Sequence, residues 1–325
     1  MILVTGGTGF IGSALVQALL QEGHRVRVLT RHPDGHPLLS HPGVEPFIAD
    51  LTDPVSLTGV AEGVEAVFHL AGLLGGKSTD PTAYEALHVQ GTAHLLEQFA
   101  GRFLVRFVHC STTGVLGPIA HPPADESWPL RPSNLYERTK AAGERLVLER
   151  GRQQGTPVTV IRPGMVYGPG DLHHLGLFRA IQRGYFVLIG GGRSTLDPVY
   201  VADVVQGLRR ALENEQAIGQ VYHVAGPRPV TVRELAEAIA RALGRPFRPP
   251  TVPRPLAFAG AWLMTGLLRP LGVQPPLTPS RVRFLTENRG VSIEKARREL
   301  GYEPAYSLEA GLRETVAWYR RHHYL

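Results

Sequence analysis

The sequence predicts a doubly wound, parallel α/β sheet with helices on both faces and a smaller C-terminal lobe. Three observations predict it. The chain opens on an apolar run, Ile2-Leu3-Val4, which breaks at Gly6-Gly7-Thr8-Gly9 and resumes as Ile11, Ala14, Leu15, Ala18 and Leu19 at helical spacing. Short apolar strands then alternate with helical segments as far as residue 164. Beyond it the alternation weakens and Gly and Pro rise, so the chain divides into 1–164 and 165–325, with about 198–224 expected to return to the sheet.

After the first helix, Arg25 to Thr30 alternates as a second strand and Val44 to Ala49 reads as a third. Pro54 stands where a helix tolerates proline, and a helix is expected from it. Ala66 to Gly72 is a fourth strand ending on small residues. A helix over about Pro81 to Ala100 leads to a fifth strand, Phe103 to Cys110. Residues 117–133 are loop-like, with five prolines, and a helix follows over about Asn134 to Gln153. Val158 to Ile161 is the sixth strand. Pro198 to Val201 and Gln220 to Val224 are the pieces expected to rejoin the sheet. Thr231 and Glu234 form a capping box for a helix to Leu243.

The 325 residues are 43% hydrophobic, enough for a sizeable core. A single cysteine, Cys110, excludes an internal disulfide and fits a reducing compartment. A strand beginning at residue 2 leaves no leader, so a cytoplasmic protein is expected. The net charge of +6 suits phosphate-bearing ligands or a membrane surface, but no aromatic-interleaved basic stripe points to nucleic acid. The uncharged run Leu256–Leu268, bracketed by Arg254 and Arg269, is too short for the roughly 20 residues of a bilayer span. It could cap an apolar substrate, lie on a membrane surface or pack as core. His173 and His174 lack further ligands at a metal spacing, so no metal is assigned.

The glycines Gly6, Gly9 and Gly12 let backbone approach a pyrophosphate, which sits on the free N–H groups of the helix that follows, near Phe10 and Ile11. The spacing is one residue wider at the front than G-x-G-x-x-G. Tyr136 and Lys140 lie four apart on one helix face, where the ammonium is expected to lower the phenol pKa for proton exchange with a substrate oxygen. The hydroxyls of Ser111-Thr112-Thr113 follow the fifth strand and belong in the crevice at the carboxyl ends of the strands. The second strand ends on Thr30-Arg31, with no acid for a ribose 2′-hydroxyl and an arginine that can pair with a 2′-phosphate; NADP(H) is expected, with NAD(H) as the alternative.

Taken together, these segments resemble the extended short-chain dehydrogenase/reductase superfamily over nearly the whole chain. Residues 5–12 look like its cofactor turn in a Rossmann-type fold, Asp50-Leu51 like its adenine-binding pair, and His69-Leu70-Ala71-Gly72 like the stretch lining the cofactor. Val89-Gln90-Gly91-Thr92 matches the helix after it. Tyr136-x-x-x-Lys140 looks like the catalytic pair, and Arg162-Pro163-Gly164 with Met165 to Pro169 like the strand-six signature. Counting back from Val115-Leu116-Gly117 puts the family's catalytic Ser/Thr on Thr112. The resemblance implies catalysis by Thr112, Tyr136 and Lys140. It implies cofactor contacts from Gly6, Gly9, Phe10, Ile11, Gly12, Thr30, Arg31, Asp50, Leu51, Leu70, Ala71, Gly72, Tyr136, Lys140 and Pro163. Lys140 would also hold the nicotinamide ribose, residues 1–164 would bind the dinucleotide and 165–325 the substrate.

Departures from the family narrow the substrate. His88 stands where many members have asparagine and is expected to pack. Met165 and Leu196 replace the polar grips of nucleotide-sugar enzymes, and Thr113-Gly114 replaces the Asp-Glu pair of dehydratases. Pro276 to Pro279 and Lys295 to Pro304 resemble the 3β-hydroxysteroid dehydrogenase and dihydroflavonol reductase branches. The expected function is NAD(P)-dependent oxidoreduction of an alcohol or ketone on a mostly apolar small molecule, by a homodimer. The alternatives are a nucleotide-sugar epimerase and a catalytically silent cofactor-binding subunit. Arg162, Arg179 and Arg193 are the residues that could still reach a sugar-linked phosphate.

Overall fold

The computed structural model describes residues 1–75, 80–268 and 277–325. Six strands, β1 (Ile2–Thr5), β2 (Val26–Thr30), β3 (Val44–Ile48), β4 (Ala66–His69), β5 (Arg106–Cys110) and β6 (Val158–Pro163), follow the expected order. A seventh, β11 (Val221–Val224), comes from the C-terminal half and completes a sheet of order β11-β6-β5-β4-β1-β2-β3, parallel throughout. Its central strands are buried on both faces, which is why they read as near-continuous apolar runs.

Helices cover both faces. α1 (Phe10–Gln21) lies on one side. α2 (Pro81–Glu85) runs through a π-helical turn at Ala86–Gln90 into α3 (Gly91–Glu97), and α4 (Leu135–Gln154) packs beside α3 on the other. The single helix expected over 81–100 is thus interrupted at residues 86–90, and the interruption falls on His88. No helix forms from Pro54. Residues 54–63 make successive i→i+3 turns instead, because Gly59 at φ +86° and Gly63 at φ +68° leave the helical region.

Beyond β6 the chain builds the second lobe. β7 (Met165–Tyr167), α5 (Leu175–Gln182), β8 (Leu188–Ile189), β9 (Thr195–Leu196), β10 (Pro198–Tyr200) and α6 (Val201–Glu213) precede β11 (Val221–Val224). Of the two segments expected to rejoin the sheet, only β11 does; residues 198–200 pair with β7 in a separate two-stranded sheet. α6 returns to pack on α1 and the main sheet. β12 (Val230–Thr231), α7 (Val232–Leu243), β13 (Thr251–Val252), α8 (Arg254–Leu268), α9 (Pro279–Thr286), α10 (Glu294–Leu300) and α11 (Leu308–Arg321) complete it. The capping box of α7 forms as expected. α5, α7 and α11 enclose a separate core of Phe178, Leu235, Ile239, Leu312 and Val316.

The exposed edge of β11 is blocked by side chains. Glu126 accepts from the His223 N–H at 2.8 Å and Lys295 donates to the Val221 carbonyl at 3.1 Å, which removes a template for further strand pairing. Pro276 and Arg269, singled out in the sequence, lie outside the described residues.

Candidate active site

The glycine turn closes as the sequence requires. Gly6 adopts φ +70° and packs so tightly on the Leu70–Ala71 backbone that a Cβ would lie 2.8 Å from the Ala71 nitrogen. At Gly12 a Cβ would lie 2.1 Å from the Gly6 carbonyl oxygen. The N-cap of α1 is Gly9, with no side-chain cap and no acidic residue in the first turn. The first-turn N–H groups are therefore left to an outside acceptor, and the turn fits the pyrophosphate of a dinucleotide.

Around it lie the other expected contacts. Asp50 and Leu51 follow β3, and the Asp50 carboxyl stands below its ordinary value, chiefly because the Thr52 N–H donates to it. Arg31 is exposed, 3.9 Å from Asp50, while Thr30 is buried with its hydroxyl bonded to the His32 backbone. Pro163 ends β6 three residues beyond Val160, which shares a register row with Thr5, His69 and His109.

Asn134 caps α4 by accepting from the Glu137 N–H at 2.9 Å, which starts the helix one residue before Tyr136. Tyr136 is half-buried, and the Thr112 hydroxyl lies against its phenol. Lys140, one turn on, is buried and donates to the Cys110 carbonyl at 2.6 Å. Thr112 caps the short turn that follows β5. The structure thus gathers Thr112, Tyr136 and Lys140 at the ends of β5 and β6.

The electrostatics differ from the expectation of a lowered phenol pKa. Burial pushes the Tyr136 phenol above its usual range, with the Thr112 hydroxyl pulling the other way. Burial also lowers the Lys140 ammonium. Tyr136 is therefore a protonated acid at neutral pH.

His88 does more than pack. Its Nε2 accepts from the Leu73 N–H at 3.0 Å, so Nδ1 carries the proton and donates to Thr139 Oγ1 at 2.9 Å. Thr139 in turn donates to the Leu135 or Tyr136 carbonyl. The imidazole packs edge-on against Tyr136, with ring centroids 5.8 Å apart. A second buried histidine continues the chain of bonds. Thr5 Oγ1 meets His69 Nδ1 at 2.7 Å, His69 Nε2 meets Thr92 Oγ1 at 2.9 Å, and Thr92 donates to the His88 carbonyl at 2.8 Å. Burial holds both imidazoles neutral, at a pKa of about 3. One polar relay thus joins the cofactor turn to the helix that carries Tyr136.

Two buried ion pairs were not legible beforehand. Glu137 pairs with Arg289 at 2.8 Å and accepts from Ser133. Glu144 accepts from Ser111 at 2.7 Å and pairs with Arg162, which also meets His223. Arg162 is therefore committed inside the protein, and Arg179 donates twice to the Tyr324 carbonyl. Arg193 is exposed. Leu196 is buried in the lobe core, with Met165 packed against that core. Cys110 is buried, its thiol pushed up by burial. Among the described residues no cluster of His, Cys, Asp or Glu could hold a metal; His174 instead bonds Asp171.

A dinucleotide turn and a Thr–Tyr–Lys cluster at the carboxyl edge of one parallel sheet define a Rossmann-type, dinucleotide-dependent enzyme. A sequence profile of the NAD dependent epimerase/dehydratase family matches residues 2–225, and the chain belongs to that family. It is 34% identical to a 3 beta-hydroxysteroid dehydrogenase/Delta 5→4-isomerase of Mycobacterium tuberculosis, over 98% of this chain and 90% of that one. It is 30% identical to a 2-alkyl-3-oxoalkanoate reductase of Stenotrophomonas maltophilia, over 97% and 98% of the two chains. Among solved structures, the UDP-glucose 4-epimerase of Thermotoga maritima with UDP-glucose superposes with a TM-score of 0.80 at 26% identity, covering 99% of each chain. The chain is an NAD(P)-dependent oxidoreductase of the extended short-chain dehydrogenase type.

Proposed function

We propose that the protein reduces a ketone, or oxidises the matching alcohol, on a mostly apolar small molecule of steroid-like size. The observation that carries this reading is the protonated Tyr136 phenol beside the Thr112 hydroxyl, in a chain whose first turn fits a dinucleotide. The nicotinamide cofactor, when bound, supplies or accepts the hydride. Thr112 then orients the reacting oxygen by a hydrogen bond. Tyr136 gives its proton to that oxygen as negative charge develops on it, and takes a proton back in the oxidative direction. Lys140, fixed on the Cys110 carbonyl, would hold the nicotinamide ribose. Residues 1–164 serve the cofactor and 165–325 the substrate, with β11 lent to the cofactor sheet. The exposed Arg31 and the lack of an acid at the end of β2 favour NADP(H). The reading includes a homodimer in a reducing compartment, in keeping with one buried thiol.

The apolar substrate class rests on what the candidate phosphate grips do. Arg162 and Arg179 are committed to internal partners, and Met165 and Leu196 offer no charge. A nucleotide diphosphate desolvated here would leave charges unpaired, at a cost of several kcal/mol. The names of the dehydrogenase and the reductase support the same class. Sugar-nucleotide epimerisation is the second reading, favoured by the likeness to the UDP-glucose epimerase. Thermal-shift measurements with cofactor present separate the two. Stabilisation by hydrophobic ketones and none by UDP-glucose is expected; the reverse pattern overturns the proposal. A catalytically silent protein would turn over neither.

A further inference from the structure

Helix α8 turns its apolar side outward. Its inner face is small: Ala257 and Ala261 are buried against Val282 of α9 and Ile189 of β8. The outer face carries Leu256 64%, Trp262 64%, Leu263 64% and Leu267 62% exposed, with Ala259 and Gly266 between them. At helical pitch these six positions span an arc of about 140°. An apolar stripe of this kind, without a partner among the described residues, marks an interaction site.

Charge says what it meets. Between residues 238 and 286 the sequence has seven arginines, no lysine and no acidic residue. Of the chain's 34 basic and 28 acidic side chains, that leaves 27 basic against 28 acidic elsewhere, so the whole positive excess lies in this stretch. Arg248, Arg254 and Arg283 are exposed, and none has an ion-pair partner among the described residues. Arg241, in the same stretch, is paired with Glu309, which lies outside it. A second copy seated two-fold on α8 would bring this arginine-rich stretch against its own image. An anionic surface faces no such repulsion, and a tryptophan among leucines suits the boundary between headgroups and acyl chains.

We propose that α8 docks the protein onto an anionic lipid surface, lying in the interface with Leu256, Trp262, Leu263 and Leu267 turned into it. No helix among the described residues is long and apolar enough to cross a membrane, so the contact is peripheral.

The test is co-sedimentation of the full-length chain with phosphatidylcholine vesicles, with and without phosphatidylglycerol, while Trp262 emission is followed. Binding to the anionic vesicles with a blue shift is expected. Each arginine reversed in Arg254→Glu and Arg283→Glu should weaken it several-fold. Leu263→Glu with Leu267→Glu should weaken it by about a hundredfold, since two leucines no longer enter the apolar layer. Thermal melts in the presence of cofactor establish that these variants fold. If the leucine pair does not fold, Trp262→Phe decides: the blue shift should vanish while binding persists. Equal binding to neutral vesicles, no binding at low salt, or a blue shift that survives Trp262→Phe overturns the proposal. So does a wild-type oligomer that Leu263→Glu dissociates, since that would assign the face to a second copy.

Discussion

Replacing His88 by leucine removes two hydrogen bonds while keeping most of the side-chain volume. The Leu73 N–H loses its acceptor at 3.0 Å, whereas Thr139 keeps its bonds to the α4 backbone. One part-buried donor left unsatisfied costs about 1–3 kcal/mol. In a chain of this size each kcal/mol corresponds to a melting shift of about 2 °C. The catalytic effect follows from the same contacts, because the imidazole ties the Leu73 loop to the helix turn that carries Tyr136. Misplacing the phenol by a fraction of an ångström should lower kcat on the order of tenfold or more. His88→Asn, too short to reach Leu73 and Thr139 together, should recover part of either effect. Because the folded imidazole titrates at about 3, it stays neutral through the working range, and kcat should show no inflection near pH 6.5. The assays are thermal denaturation with cofactor and steady-state reduction of a hydrophobic ketone from pH 5 to 9. A leucine variant that melts and turns over like the wild type would refute this reasoning and return His88 to a packing role.

Three further outcomes are expected. Tyr136→Phe should leave cofactor binding by calorimetry unchanged and lower turnover on the order of 10²–10⁴-fold, and an unchanged kcat would remove the proposed acid. Arg31→Ala should weaken NADP(H) about tenfold or more and leave NAD(H) alone; equal losses for both would assign Arg31 no part in cofactor choice. The third concerns acid. His69, His88 and His223 titrate at about 3 in the folded protein, and burial holds His109 well below its ordinary value, whereas unfolded histidine binds a proton near 6.5. Between those values the unfolded state binds more protons, so stability falls as pH drops from about 6.5 toward 3. Asp197, raised to about 7, and the raised Glu126 and Asp203 bind protons more readily folded than unfolded and offset part of it. A net loss of a few kcal/mol per pH unit remains. Urea midpoints at pH 7.5, 6 and 5 would show it, and a flat series would contradict it.

What the sequence made legible was local. The glycine turn, the apolar strands and the N-cap of α4 depend on neighbours a few residues away, and each appears where the residues put it. The turns at 54–63 escaped because two glycines leave helical φ in a segment whose proline signals a helix start. The pairing of residues 198–200 with β7 could not be separated from a return to the main sheet, since a three-residue apolar strand fits either partner. The relay through His69 and His88 and the pair Glu137–Arg289 join residues 64 and 152 positions apart. No spacing rule reaches across such gaps, and buried charge appears in a sequence only as charge. The exposed face of α8 was ambiguous for the opposite reason: an uncharged run reads alike whether it faces the core or the outside.

Hydride transfer to an apolar ketone is the central claim, and deuterium tests it most directly. The protein is incubated with nicotinamide cofactor deuterated at the transferring carbon and, separately, with a steroid-sized ketone or UDP-glucose; the alcohol is weighed by mass spectrometry, and the sugar nucleotides, whose epimers share one mass, are separated by chromatography. One deuterium in the alcohol from the ketone, with label transfer suppressed in Tyr136→Phe and UDP-glucose returned unchanged, is the predicted result. Interconversion of UDP-glucose with its epimer, and no label in any apolar alcohol, would contradict it.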